Sequence, residues 1–164
     1  MGGVRILPLA PETLKDYKRI RFAALKDAPT AFSGDPDEEA ALDDRQHALP
    51  LQIGTVYGAY DGGQVIGMTG VILHAKKKMR HKASLWGVYV APTHRGRGIA
   101  RAMLERALGD LPARITHVTL GVEINNAPAL ALYRALGFEE CGRDIGAFMQ
   151  DGVLHDEIMM VKIG

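Results

Sequence analysis

Cysteine is almost missing from this chain. Cys141 stands alone, so neither an internal disulfide nor a multi-cysteine zinc site can form. Excess charge is missing too: 20 Lys and Arg stand against 19 Asp and Glu, a net +1 that gives no general pull toward nucleic acid or an anionic membrane. Aromatics make up only 6% of residues, with a single tryptophan, and they are not interleaved with basic residues as a base-stacking surface requires. The N-terminal "MGGVRILPLAPE" contains no long apolar run, so neither a signal peptide nor a spanning helix is expected, and the cytoplasm is the expected location. A myristoylation signal needs Ser or Thr where this chain has Ile6. Repeats, low-complexity tracts and linkers are also lacking.

What is present is an ordinary globular composition, 47% hydrophobic and 24% charged, in 164 residues, which suits one domain over 1–164 with a real core. "VRILPL" reads as a first strand. Pro11 opens a helix with Leu14, Tyr17, Ile20, Ala24 and Leu25 on one side, and "DPDEEAAL" opens a second, with Asp35 as its cap and Glu38 placed for a capping box. "TVYGAY" and "QVIGMTGVIL" form a hairpin around Asp61–Gly63. "ASLWGVYV", apolar on both faces, reads as a buried central strand. A helix after Gly98, the strand "HVTLGVEI", the helix "NAPALALYRAL" and two terminal strands joined at "QDG" complete the chain. The pattern is β-α-α-β-β-β-α-β-α-β-β, an α/β mixed sheet with helices packed on it. Cys141 and the seven methionines read as core filler, and Trp86 as packed in the sheet.

The informative stretch is "VYVAPTHRGRGIARAML", Val88–Leu104. Glycine is a poor helix former, yet Gly96 and Gly98 stand where a helix begins. Either the backbone there needs unusual angles, or something approaches it closely. A helix start offers unpaired N–H groups and the positive end of the dipole, and Arg95, Arg97 and Arg101 surround it, so a phosphate is the natural occupant. The motif is not a Walker loop, which ends Gly-Lys-Ser/Thr, nor the three-glycine dinucleotide fingerprint. An ordinary strand-to-helix turn with solvated arginines is the competing reading.

The chain resembles the GNAT superfamily of acyl-CoA-dependent N-acyltransferases. The resemblance rests on Arg95, Gly98 and Ala100 in "RGRGIA", and on Asn126, Ala129, Tyr133, Gly137 and Phe138 in "NNAPALALYRALGF". It extends over nearly the whole chain and is weakest before Thr55. It implies a mostly antiparallel sheet with helices on both faces, whose parallel fourth and fifth strands splay apart. It implies acetyl-CoA as co-substrate, without a metal. The pantetheine arm would pair with backbone at Val88, Tyr89 and Val90, the pyrophosphate would sit on amides of Gly96, Arg97, Gly98, Ile99, Ala100 and Arg101, and Asn126 would contact the cofactor. Tyr133 falls at the family's general acid, with a purely packing role as the alternative. The expected partners are acetyl-CoA and a primary-amine acceptor, with neither nucleic acid nor membrane, and with room for a homodimer.

One branch of the family uses a glutamate five residues before the asparagine as base. Gly121 stands there, and Glu123, two residues on, is a weak candidate that is at least as well read as a solvated edge residue. Acceptors in this family enter over 28–39 and 148–152, which carry Phe32, Asp35, Asp37 and Glu38. The basic "KKKMRHK" reads as a solvated hairpin tip. The competing functions are a non-catalytic acyl-CoA sensor, which would keep the glycine turn without turnover, and an RNA-associated module using the basic tip.

Overall fold

The computed structural model describes residues 3–164; the readings that involve Met1 and Gly2, including any N-terminal signal, lie outside the described residues. Seven strands make one sheet in the order β1-β2-β3-β4-β5-β7-β6. They are β1 (Arg5–Leu9), β2 (Gly54–Asp61), β3 (Gln64–Leu73), β4 (Lys82–Val90), β5 (His117–Glu123), β6 (Glu139–Gln150) and β7 (Val153–Ile163). All neighbours are antiparallel except β4 and β5. The last strand inserts between β5 and β6, so its residues lie directly beside β5.

Five α-helices cover the two faces: α1 (Leu14–Asp27), α2 (Pro36–Ala40), α3 (Asp44–Ile53), α4 (Ile99–Gly109) and α5 (Ala127–Ala135). On one face Leu104 and Ala107 of α4, with Leu130 and Tyr133 of α5, pack on Leu85, Val118, Leu120, Val122 and Met160. On the other, Tyr17, Ile20 and Ala24 of α1 and Leu51 of α3 pack on Val56, Met68 and Tyr89. The alternation along β4 makes both cores possible: Ala83 and Leu85 point to α4 and α5, Trp86 and Tyr89 to α1.

Some expectations are corrected. The segment between β1 and β2 holds three helices rather than two. The third was hidden by Pro50, which ordinarily marks a helix end; here it sits inside α3, which Asp43 and Gln46 start with a reciprocal capping box. Asp35 does cap α2, accepting from the Glu38 amide at 2.9 Å. Pro11 begins a short 3-10 turn, and α1 follows from Leu14. Cys141 is exposed rather than core filler: it sits at a bulge on the edge strand β6, whose residues from Glu139 through Ile145 are all exposed. Met68, Met103 and Met160 are fully buried, whereas Met149 is exposed.

Two features of β4 shape the cleft that follows. A bulge near Gly87, whose φ is +64°, sets Met68 against Tyr89 but Gly70 against Trp86. The extra residue bends the strand, and the left-handed conformation it needs favours glycine. The second feature is the seat of Trp86. Its indole lies flat across Gly70, where an added Cβ would stand 2.0 Å from Cε2. Replacing Gly70 with Ala is therefore expected to eject the indole, costing about 1–3 kcal/mol as overpacking does. Chemical denaturation of the Gly70→Ala variant measures it, and unchanged stability would refute the close approach.

Candidate active site

Parallel pairing between β4 and β5 covers Lys82–His117, Ala83–Val118 and Ser84–Thr119, and then stops. Beyond it the strands diverge, leaving β4 backbone from Leu85 onward without a partner on that side. The gap opens into a cleft of about 240 Å³ lined by Val88, Tyr89 and Val90 of β4, by Leu120, Gly121 and Val122 of β5, and by Asn126, Pro128, Ala129, Leu132 and Tyr133 around α5. Arg95 and Ala100 close one end, Ala31 and Phe32 another. An adjoining groove runs along the glycine turn past Gly96, Gly98, Ile99 and Arg101. Of the expected cofactor-binding residues and Tyr133, Arg97 alone lines neither; its guanidinium lies 3.9 Å from Asp61.

The glycine turn answers to both physical demands. Gly96 and Gly98 have φ of +76° and +75°, and Gly98 is the N-cap of α4 in the left-handed conformation. An added Cβ at either would meet no protein atom within 4 Å, so the turn is open above. Among the described residues, no amide from Gly96 through Arg101 finds an acceptor; the first helical bond of α4 is Ala102 N to Gly98 O. A run of unpaired donors at a helix start is an anion-binding arrangement.

The arginines contribute less than their number suggests, because each is paired. Arg95 donates to Asp27 at 2.6 Å and to the Val90 carbonyl at 2.9 Å, and Arg101 pairs with Glu105 within the helix. Arg95 thus ties the turn to the ends of β4 and α1, and its guanidinium lies over the Tyr89 ring. Asp27 also accepts from the Tyr89 hydroxyl at 3.1 Å. Burial, reinforced by the Asp27 bond, raises the Tyr89 pKa, so this phenol stays a donor.

Tyr133 is buried, its ring edge-on to Phe138, and its hydroxyl makes no protein hydrogen bond among the described residues. Burial alone holds its pKa well above the ordinary phenol value. Asn126 caps α5, its side chain accepting from the Ala129 amide at 3.3 Å.

The side of the cleft on which the sequence reading expects the acceptor is lined differently from that expectation. Ala31, Phe32 and Ser33 line it, but Asp35, Asp37 and Glu38 are exposed and do not. The loop is braced by Arg21, which makes a two-pronged bond to Glu39 at 2.8 and 3.1 Å and lies over the Phe32 and Trp86 rings. Glu123 is not a solvated edge residue. It is 6% exposed, and its carboxylate accepts from the Asn125 amide at 2.8 Å and the Asn125 side chain at 3.0 Å, with His155 at 3.4 Å. Unremarked in the sequence was Glu157 of β7, which lines the acceptor side together with Gly87 and Gly121.

Comparison with known proteins finds a family for this chain and solved structures of the same fold. Residues 19–138 match the Acetyltransferase (GNAT) family. The chain belongs to the GNAT acetyltransferase family. It is an N-acetyltransferase of that class, and acetyl-CoA is the family's acetyl donor. It is 36% identical over 111 residues to the N-alpha-acetyltransferase RimI of Mycobacterium tuberculosis, covering 68% of this chain and 67% of that one. A ribosomal-protein-alanine N-acetyltransferase from Brucella melitensis superposes with a TM-score of 0.83 at 28% identity, over 98% of this chain and 99% of that one. The fold is also shared with yncA from Salmonella typhimurium, solved with its cofactor acetyl-CoA (TM-score 0.82, 20% identity, 99% and 94% covered). The GNAT match ends at Phe138, so β6 and β7, including Glu157, lie beyond it.

Proposed function

We propose that this GNAT protein transfers the acetyl group of acetyl-CoA to a primary amine by direct attack in a ternary complex, with residues 1–164 acting as one catalytic domain. The observation that carries the reading is the continuity of the cleft. The cleft with the unpaired β4 edge and Tyr133 adjoins the groove along the free amides at Gly96–Arg101, the two sharing Val90, Arg95, Ala100 and Leu132 in their walls. Those amides would hold the pyrophosphate, and the β4 backbone at Val88–Val90 would hold the pantetheine arm. Because Arg95 already occupies the Val90 carbonyl, Val88 would supply the freer acceptor. Asn126 would contact the arm from the start of α5.

The chemistry needs a proton removed from the amine and another given to the departing thiolate. An amine is largely protonated at pH 7, and the CoA thiol has a pKa of about 8.5. Tyr133 would be the acid: burial keeps its phenol protonated, and no acceptor among the described residues competes for its proton. A cytoplasmic location goes with this reading, since an exposed free thiol at Cys141 suits a reducing compartment.

The test is CoA thiol release from acetyl-CoA with four acceptors. They are a peptide beginning with alanine, an N-terminally blocked lysine peptide, spermidine and an aminoglycoside. The alanine peptide comes first because two of the relatives reported above are named an N-alpha-acetyltransferase and a ribosomal-protein-alanine N-acetyltransferase. Amine-dependent release with at least one acceptor is expected. Tight acetyl-CoA binding without release from any amine would instead support an acyl-CoA sensor.

A further inference from the structure

Glu157 faces Glu123 directly across the β5–β7 ladder, so both side chains leave the same face of the sheet. From there its carboxylate leans diagonally over Gly121: a Cβ added to Gly121 would stand 2.7 Å from Glu157 Oε2. Only a glycine leaves that room. The carboxylate lines the acceptor side of the cleft beside Gly87, Phe32 and Trp86. Among the described residues it makes no hydrogen bond or ion pair, whereas the neighbouring Glu123 is fully engaged by Asn125 and His155.

We infer that Glu157 is the general base, its carboxylate reaching from β7 into the space beside Gly121 to take the proton of the incoming ammonium. This rests on the acetyltransferase reading and supplies the residue that reading lacks. The ammonium gives one proton to Glu157, which passes it to solvent. The freed lone pair forms the C–N bond to the thioester carbonyl, and the C–S bond breaks. Tyr133 protonates the thiolate, and the nitrogen's second proton restores Tyr133. The sum is an acetamide, CoA thiol and one proton in solution.

The groups facing Glu157 suit the task. Glu123 on β5 and Asp144 on β6 are carboxylates, His155 lies two residues back on the same strand, and Arg21 of α1 lines the same space but is committed to Glu39. Burial, then Asp144 and Glu123, raise the Glu157 pKa above the usual carboxylate value, which makes it a stronger base.

The experiment is the pH profile of kcat/KM for Glu157→Gln, with whichever of the four acceptors gives the fastest release. Gln keeps the shape and removes the proton acceptor. At neutral pH kcat/KM is expected to fall about tenfold to a hundredfold, at the low end of general-base contributions. The deficit should close as pH rises past the acceptor's own pKa, where solution supplies free amine. Acetyl-CoA affinity by calorimetry should be unchanged. A second variant keeps the proposal exposed if Gln disturbs packing: Glu157→Ala combined with Gly121→Glu moves the carboxylate onto β5, and it should recover at least about tenfold over Glu157→Ala alone. Wild-type kcat/KM in Glu157→Gln, a loss equal at every pH, or the same pH signature in Glu123→Gln instead would overturn the assignment while leaving the acetyltransferase reading intact. A wild-type protein inactive with all four amines would overturn both.

Discussion

Phenylalanine at position 133 is expected to lower kcat by on the order of tenfold to a thousandfold, at or below the usual range for general acid–base catalysis, while the KM for acetyl-CoA barely moves. The substitution removes one hydroxyl and leaves the ring. That ring is buried against Phe138, and the hydroxyl bonds to no other described residue, so packing survives and folding stability should hold. A loss confined to kcat marks an interaction made only in the transition state. The pH dependence follows from the raised pKa. Because burial disfavours the phenolate, the folded pKa lies above the ordinary phenol value of about 10. Tyr133 therefore stays protonated through neutral and mildly alkaline assays, and any limb there belongs to another group. Steady-state kinetics at saturating amine, where chemistry limits the rate, is the measurement. Full kcat in the variant would leave Tyr133 only its packing role and remove it from the mechanism.

Valine at position 98 is expected to weaken acetyl-CoA binding about a hundredfold, the equivalent of losing one or two charge-assisted hydrogen bonds at about 1.5–3 kcal/mol each. Two effects combine. The added methyls occupy the open space over the amides of Gly96–Arg101, and a β-branched residue is strained at φ +75°. The strain alone costs on the order of 1–3 kcal/mol of stability, so an affinity loss must be separated from a folding loss. Gly152, in the β6–β7 turn, has φ +77° and equally open surroundings, and it lies outside the cleft. Gly152→Val should reproduce the drop in melting temperature without the drop in affinity. Calorimetry on both variants decides: equal affinities would mean that the turn does not hold the pyrophosphate.

Legibility in the sequence followed the range of the interactions involved. The hairpin at Asp61–Gly63, the helix after Gly98 and the helix in "NAPALALYRAL" are written in neighbouring residues, and they were readable for that reason. The third helix was missed because a local rule, proline as a breaker, was overridden by a capping box and by packing of Leu51 against the sheet. Cys141 was misplaced because strand order, which no local pattern announces, puts β6 at the sheet edge, where Glu139 through Ile145 are all exposed. The arginines of the turn were visible as charges. Their carboxylate partners, Asp27, Asp61 and Glu105, were not assigned, and two of the three come from remote elements.

By itself the sequence determined the α/β class, the strand–turn–helix with its glycines, and the motifs of a GNAT acetyltransferase. The first two depend on the periodicity or backbone demands of short stretches of chain, and the third on the resemblance of two short motifs to a known family. Tertiary structure alone decided that Glu157 stands at the cleft. β7 inserts beside β5 rather than extending the sheet beyond β6, and this sets Glu157 opposite Glu123 and over Gly121. Glu157 and Gly121 are far apart in the chain, and the contact between them exists because strand order and register, set by burying both faces of the sheet, bring them together.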